Sequence, residues 1–142
     1  MGQAKIRHIA ICSKDTRALA DFYIKTFGMV EVMSQSPRDG GPETDQRAIY
    51  VSDGYINLAC LPARDKAEGI DHFGFQVEDA EEIARRGKDS GAQTGIAPRP
   101  RDGRYAEFRI HDPVGTGVDL ATAGWATQPE AAEAVAARVN DR

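Results

Sequence analysis

The stretch Ile6-Arg7-His8-Ile9-Ala10-Ile11 has a second copy in the same chain. Ile70-Asp71-His72-Phe73-Gly74-Phe75 repeats its order of apolar, polar, His, apolar, small and apolar residues, and its histidine stands 64 positions further on. A repeat of this kind indicates a duplicated structural unit, so it has to be recognised before any other feature of the fold. We therefore expect two halves that each begin with a histidine-bearing β-strand.

A second pair of matching segments closes the two halves. Ile56-Asn57-Leu58-Ala59 and Val118-Asp119-Leu120-Ala121 carry an amide or acid at positions 62 residues apart. Each histidine strand is followed by a helical pattern, which opens with an Asp that can cap it, Asp15 or Asp79. The order of one strand, one helix and three strands in each half predicts an α+β fold, with the helices on one face of a mostly antiparallel sheet.

The length of 142 residues suits one compact domain with a sizeable core. We expect a single domain over residues 1–142, built from a first module at 5–61, a second module at 70–123 and a C-terminal helical tail at 124–142. Residues 62–69 are charged and have no apolar period, which is typical of a linker. Polar loops rich in Gly and Pro are predicted at 34–46 and 98–104.

Composition narrows the class of partner. The net charge of −4 leaves no basic footprint for nucleic acid. Cys12 and Cys60 show no C-x-x-C or zinc-finger spacing. No apolar run approaches membrane-spanning length, and the N-terminus has no signal-peptide core. The expectation is a cytoplasmic protein that binds a small molecule, with no nucleic acid or membrane partner.

Side chains alternate along a strand, so the residue pattern predicts which ones meet. His8 and His72 are predicted to share one face of the sheet with Asn57 and Asp119, beside small residues such as Gly74. The opposite face is apolar and suits packing under the helices. Converging polar groups with open space beside them are what a ligand pocket requires.

Two neutral imidazoles and one carboxylate are a ligand set for a catalytic divalent metal. A single strand histidine is more often a hydrogen-bonded interior residue, but two at equivalent points of a repeat favour metal binding. We therefore predict that His8, His72 and Asp119 bind a divalent ion, with Fe, Zn, Ni, Mn and Co all open. The amide oxygen of Asn57 could also ligate it, and polar packing is an equal alternative.

These segments resemble the vicinal oxygen chelate superfamily, which includes glyoxalase I, methylmalonyl-CoA epimerase, bleomycin-resistance proteins and extradiol dioxygenases. The resemblance covers about residues 5 to 123. It rests on the two histidine strands, on the helix end from Asp21-Phe22-Tyr23 to Phe27-Gly28-Met29, and on Asp112-Pro113-Val114-Gly115 before the last strand. It implies two βαβββ modules that form a curled mixed sheet with helices on the outer face, around a divalent metal and frequently in a homodimer.

The resemblance also implies roles for single residues. It places His8 at the first-strand ligand, His72 at the fifth-strand ligand and Asp119 at the last-strand carboxylate, where Glu is usual. Asn57, which we assign to substrate binding, falls where glyoxalase-type members have Glu and the epimerase has Gln. An amide lacks the basicity that glyoxalase-type proton transfer requires.

The strand that leads to Asp119 supplies further candidates. Glu107 is the candidate base, so Glu107 and Asp119 form the predicted catalytic set. Tyr105 and Arg109 alternate with apolar neighbours and are predicted to bind substrate. Arg47 is the repeat mate of Arg109, 62 residues earlier, and two arginines can clamp a carboxylate or phosphate. Exposed positions at strand edges are an equal expectation for both.

Three functions fit this pattern. The leading hypothesis is a metal-dependent lyase or isomerase of glyoxalase or epimerase type, acting on a small oxygenated substrate chelated to a divalent metal. The first alternative is an extradiol-type ring-cleaving dioxygenase using Fe(II), which tolerates Asn57. The second is a non-catalytic binding protein of bleomycin-resistance type, which has no need of the two histidines. Trp125 and the tail are expected to cap the pocket or to pack on a second subunit, with the latter slightly favoured.

Overall fold

The computed structural model describes residues 2–34, 47–93, 97–98 and 105–129. Its elements in chain order are β1 (Lys5–Ser13), α1 (Thr16–Phe27), β2 (Val30–Val32), β3 (Ile49–Ser52), β4 (Asn57–Pro62), β5 (Gly69–Gln76), α2 (Ala80–Asp89), β6 (Ala97–Pro98), β7 (Phe108–His111) and β8 (Gly117–Ala121). The order of strand, helix and three strands occurs twice, as the sequence repeat predicts. Nearly all of the two predicted loops and the tail from residue 130 lie outside the described residues.

The two helices begin in the same way. The side chain of Asp15 accepts a hydrogen bond from the backbone N–H of Ala18, and that of Asp79 accepts one from Glu82, both at 3.0 Å. Each bond satisfies one of the free N–H groups of a first helical turn. Helix α1 ends at Gly28, whose left-handed φ of 72° suits a residue without Cβ.

The strands form one mixed sheet in the order β2-β3-β4-β1-β5-β8-β7-β6. Strands β1 and β5 pair antiparallel at its centre, and each pairs parallel with the last long strand of its own half, β4 or β8. Among the described strands β2 and β6 are the two edges, so the sheet that they form is open. The predicted α+β fold of two βαβββ modules is confirmed.

The apolar core consists of two clusters, one under each helix. In the first half, helix α1 packs on β3 and β4, around buried residues such as Val51 and Cys60. In the second half, helix α2 packs against β7, with Leu120 and Ala84 in the cluster. Burial raises the pKa of the Cys60 thiol to about 12, so this cysteine serves as a small apolar residue. None of the helices in the described part of the chain is both long and apolar enough to span a membrane.

The sequence pattern predicts strands over Tyr55 to Leu61 and Tyr105 to His111, and the observed strands begin two and three residues later. Strand β4 begins at Asn57 because the carboxylate of Asp53 accepts the N–H groups of Tyr55 and Ile56, at 2.9 and 2.7 Å, and holds both in the turn. These hydrogen bonds lower the pKa of Asp53. Strand β7 begins at Phe108, so the polar residues at 105 and 107 precede the regular strand.

Candidate functional site

Strand register brings four of the predicted site residues into one row across the sheet. The row runs from Asn57 on β4 to His8 on β1, Gly74 on β5, Asp119 on β8 and Arg109 on β7. Residues paired in this way present their side chains on the same face. His72 lies in the neighbouring row, opposite Ala10 on β1.

The two histidines and the aspartate are all buried. His8, His72 and Asp119 are 5%, 7% and 6% exposed. The two imidazole centroids lie 5.4 Å apart, and Nε2 of His72 lies 3.4 Å from Oδ2 of Asp119. The fold therefore gathers three residues that are distant in sequence into one buried polar cluster.

Each histidine is preceded by a break in the β1–β5 register. Ile6 pairs with Phe75 while His8 pairs with Gly74, so Arg7 has no partner on β5. On the other strand the same kind of shift leaves Asp71 unpaired with β1. An extra residue of this kind bends the strand and can re-aim its side chain. Strict alternation would send the side chain of Asp71 to the opposite face from its neighbouring histidine.

The carboxylate of Asp71 instead turns back to its neighbour and contacts Nδ1 of His72 at 2.8 Å through Oδ2. Lys66 lies 3.3 Å from the other oxygen of this carboxylate. Burial opposes ionisation of Asp71, but its contacts with the histidine and the lysine lower its pKa overall. Burial lowers the pKa of His72, and the nearby carboxylates of Asp119 and Asp71 only partly oppose this.

His8 is held by neutral groups. Its Nδ1 lies 3.0 Å from the amide oxygen of Asn57, whose Nδ2 donates to the carbonyl of Ala126 at 2.7 Å. Burial, aided by the repulsion of His72, lowers the pKa of His8 to about 4. Its imidazole is therefore uncharged at neutral pH, which is the form that binds metals.

Asp119 is paired with Arg109. Nε of the arginine lies 2.5 Å from Oδ1 of the carboxylate, and Nη2 lies 3.1 Å from Oδ2. Both side chains are largely buried, at 19% and 9% exposure. A two-point contact of this kind is among the strongest that a carboxylate makes. Two imidazoles, one carboxylate and one guanidinium therefore sum to no net charge.

The donor set suits a divalent ion in two respects. Contacts at Nδ1 of His8 and His72 leave Nε2 of each ring as the donor, which is how metal-binding histidines are usually oriented. Two donors that share one tetrahedral ion at about 2.1 Å stand about 3.4 Å apart, as Nε2 of His72 and Oδ2 of Asp119 do. Arg109 engages both oxygens of Asp119, however. Within the described ranges, no group of three or more His, Cys, Asp or Glu residues is arranged to hold an ion.

Residues 122–128, which we call the cover segment, cross the polar face of the sheet. The indole of Trp125 stacks on the imidazole of His8, with ring centroids 4.7 Å apart and planes 8° apart. Gly74 makes room for this indole, because a Cβ at that position would stand 2.6 Å from the Trp125 ring. At the end of the cover segment, the side chain of Gln128 donates to the carbonyl of Gly54 at 3.3 Å. Trp125 was expected either to cap the pocket or to pack on a second subunit. Its indole covers His8 within the same chain, as the capping role predicts.

The remaining predicted residues lie outside this cluster. Tyr105 stands beside the cover segment, its ring centroid 5.9 Å from that of Trp125. Glu107 is exposed, and its carboxylate accepts hydrogen bonds from the backbone N–H and the hydroxyl of Thr122. Arg47 precedes β3 and is half-buried. The base and clamp roles assigned to Glu107 and Arg47 therefore stay predictions.

Two contacts of the site were not anticipated. The contact of Asp71 with His72 had no usable signal in the sequence, because alternation argues against it. The pairing of Arg109 with Asp119 follows from the β7–β8 register, which a repeat alone does not reveal.

The fold has solved counterparts, whereas no curated protein sequence matches the chain. A hypothetical protein from Bacillus halodurans is 19% identical, with 92% of this chain and 99% of that chain covered and a TM-score of 0.61. A Streptomyces coelicolor methylmalonyl-CoA epimerase, in complex with 2-nitronate-propionyl-CoA, is 22% identical, with 82% and 94% covered and a TM-score of 0.55. A 2,3-dioxygenase from Pseudomonas is 19% identical, with a TM-score of 0.60, and its match covers 88% of this chain but 42% of its own.

The family is established by the sequence itself. The model of the Glyoxalase/Bleomycin resistance protein/Dioxygenase superfamily matches residues 5–120, which is most of the chain. The matched region contains both histidine strands and ends one residue after Asp119. This protein therefore belongs to the Glyoxalase/Bleomycin resistance protein/Dioxygenase superfamily.

Proposed function

We propose that this protein is a metal-dependent lyase or isomerase of glyoxalase or epimerase type, acting on a small oxygenated substrate. The observation that carries the proposal is the buried cluster of His8, His72 and Asp119, in which both imidazoles are held at Nδ1 and kept neutral. Such a set would hold a divalent ion through the two Nε2 atoms and the carboxylate. A bound ion there would act as a Lewis acid on two neighbouring oxygens of the substrate.

Other residues have roles that depend on their position. Asn57 and Asp71 orient the two imidazoles through the contacts at Nδ1. The indole of Trp125 excludes water from the adjacent face of His8. Glu107 is the proposed base, because an amide at position 57 cannot accept a proton in the neutral range.

The proposed substrate-binding set includes residues inside and outside this cluster. It consists of Tyr105 beside the cover segment, Arg109 in the polar row, Arg47 before β3 and the amide of Asn57. The two guanidinium groups favour a substrate that carries a carboxylate or phosphate in addition to its chelating oxygens. This set also fits a planar substrate, since Tyr105 and Trp125 place two aromatic rings at the site.

One observation favours a second candidate function, an extradiol-type dioxygenase using Fe(II). Two imidazoles and one carboxylate are sufficient for such a centre, so it does not require Asn57 as a fourth ligand. The amide of Asn57 is already engaged with His8 and Ala126. Oxygen consumption with a catechol and Fe(II) would favour this candidate. Turnover of a methylglyoxal–thiol adduct or of methylmalonyl-CoA, without oxygen uptake, would favour the first. Stoichiometric ligand binding without turnover would indicate a binding protein of bleomycin-resistance type.

Metal analysis of untagged protein tests the proposal. Wild-type protein is expected to carry about one divalent ion per chain after reconstitution, and the His8→Ala and His72→Ala variants none, because each removes one of only three donors. His111→Ala is the matched control, since it removes the remaining histidine of the chain, which lies at the end of β7 and outside the proposed ligand set. Circular dichroism verifies that all three variants fold. Equal metal content in all four proteins would refute the proposal.

A homodimer is also proposed, and exposed apolar side chains support it. Phe27 on α1 is 66% exposed and Ile70 at the start of β5 is 65% exposed. Large apolar side chains gain from burial in an interface. Sedimentation velocity at micromolar concentration tests this, and a monomer alone would contradict it.

A further inference from the structure

We propose that Arg109 sets the metal affinity of the site by competing with the divalent ion for Asp119. The inference rests on the proposed metal dependence and goes beyond it, because it assigns a residue that opposes binding. It begins from the two-point contact between the guanidinium and both carboxylate oxygens. The same contact occupies the only carboxylate in the proposed ligand set.

Strand register and burial both strengthen the contact between Arg109 and Asp119. Arg109 and Asp119 face each other on β7 and β8, so the strand register itself holds the guanidinium beside the carboxylate. Both side chains are largely buried, and charges interact more strongly where water is excluded. Gly117 adjoins the arginine, because a Cβ there would stand 3.7 Å from Cδ of Arg109, an ordinary contact distance. The arginine therefore lies against the glycine that separates it from His72.

The charge of Arg109 reaches beyond Asp119. Its Nη2 lies 3.1 Å from Oδ2 of Asp119, and the same oxygen lies 3.4 Å from Nε2 of His72. A positive charge held there repels a doubly charged ion between this carboxylate and this imidazole. The four groups have no net charge, and Lys66 offsets the neighbouring carboxylate of Asp71, so an ion would gain little overall attraction from the site.

Two states of the site follow. With no ion bound, Arg109 neutralises Asp119 and the buried carboxylate has its partner. A bound ion would compete with the guanidinium for Asp119, and Arg109 would then be available to an anionic oxygen of the substrate. Binding of the metal and binding of an anionic substrate are then expected to strengthen each other. The metal would leave Arg109 without its carboxylate, and the substrate would leave Asp119 without its guanidinium.

Calorimetric titration of untagged, metal-free protein with zinc chloride alone tests the inference. Arg109→Gln removes the charge and is expected to bind zinc at least about tenfold more tightly than wild type, because the repulsion between guanidinium and ion is lost. Arg109→Lys keeps the charge and is expected to stay within about threefold of wild type by the same reasoning. Arg17→Gln is the control, since it removes a partly exposed arginine paired with Asp21 on α1. A second readout is the fluorescence of Trp125, which is the only tryptophan of the chain and stacks on His8.

The outcomes separate this inference from the proposed function. Tighter zinc binding by Arg109→Gln alone supports the inference. Wild-type protein that binds zinc as tightly as Arg109→Gln, or more tightly, overturns it and leaves the metal-dependent function in place. If neither wild type nor Arg109→Gln binds zinc, the inference and the proposed function both fail. If Arg109→Gln binds zinc and wild type does not, Arg109 excludes the ion, and the metal-dependent function fails alone.

Discussion

Arg7 and Asp71 occupy equivalent places in the two modules, each directly before its histidine and each unpaired at a break in the β1–β5 register. Their side chains nevertheless go to different partners. The guanidinium of Arg7 lies 4.2 Å from the Tyr55 ring and donates to Gln76 at 2.7 Å. The carboxylate of Asp71 turns to its neighbouring histidine.

The two halves of the site differ in the same way. The first half is neutral: an amide and an indole surround His8. The second half is charged: Asp71, Asp119 and Arg109 surround His72. A duplicated backbone therefore presents two histidines at related points, but the chemistry of each half depends on a few side chains that the duplication does not share. Three experiments on the metal-free protein, with a chelator present, sharpen this contrast.

The largest effect is expected in the charged half. Asp119→Ala should lower the free energy of unfolding by about 3–5 kcal/mol, because it leaves the largely buried guanidinium of Arg109 without its carboxylate. Urea denaturation measures the loss. Asp21→Ala is the matched control on an exposed pair with Arg17, and less than about 1 kcal/mol is expected there. Equal losses in the two variants would mean that the site pair is no stronger than a surface pair.

In the neutral half, we expect the free energy of unfolding to depend on pH through His8. His8 has its pKa lowered from 6.5 to about 4, so between these values the unfolded chain takes up a proton that the folded protein refuses. The free energy of unfolding should therefore fall as the pH drops from 6.5 toward 4. Protonation of His8 should account for a loss of about 3 kcal/mol, and this loss should be absent above pH 6.5. His72 adds to the loss in the same direction.

Comparison with His8→Gln isolates the part that belongs to this histidine. The variant has no imidazole at position 8, so its stability should fall less steeply over the same range in urea titrations at each pH. The acidic residues titrate in both proteins and cancel in the difference. Superimposable pH profiles would show that burial of His8 does not resist protonation.

The smallest effect is expected where the cover segment meets the sheet. Gly74→Ala would place a Cβ 2.6 Å from the Trp125 ring and 2.9 Å from Cβ of His8, so a loss of about 1–3 kcal/mol is expected from overpacking. Gly117→Ala is the control, because its Cβ would meet its nearest neighbour at an ordinary 3.5 Å. The loss should shrink when Gly74→Ala is combined with Trp125→Ala. An equal loss with and without the indole would place the strain elsewhere.

Much of the fold followed from local pattern. Alternation and the repeat predicted both histidine strands, and the caps at Asp15 and Asp79 begin the helices where the sequence indicated. These features depend on residues close together in the chain, so sequence spacing is enough to find them. The predicted start of β4 was two residues too early, because the side chain of Asp53 holds Tyr55 and Ile56 in the turn.

The residues of the polar row were predicted to share a face, but their contacts were not predicted. Parity along the strands correctly placed Asn57, His8 and Asp119 on one face, since pairing in register keeps that face common. Parity also placed Arg109 there, but not as the direct partner of Asp119. The reach of Asp71 depends on a register break between two strands about 60 residues apart in sequence, and a strand pattern carries no record of such a break.

The sequence by itself determined that the chain has two βαβββ modules, that each opens with a histidine strand, and that a matching amide or acid lies near the end of each. Repetition and alternation are properties of the chain alone, so no partner strand is needed to recognise them. Only the tertiary structure decided that Asp119 meets Arg109, that Asp71 turns to His72, and that Trp125 covers His8. Those contacts depend on which strands become neighbours, on where their register shifts, and on the space that Gly74 leaves open.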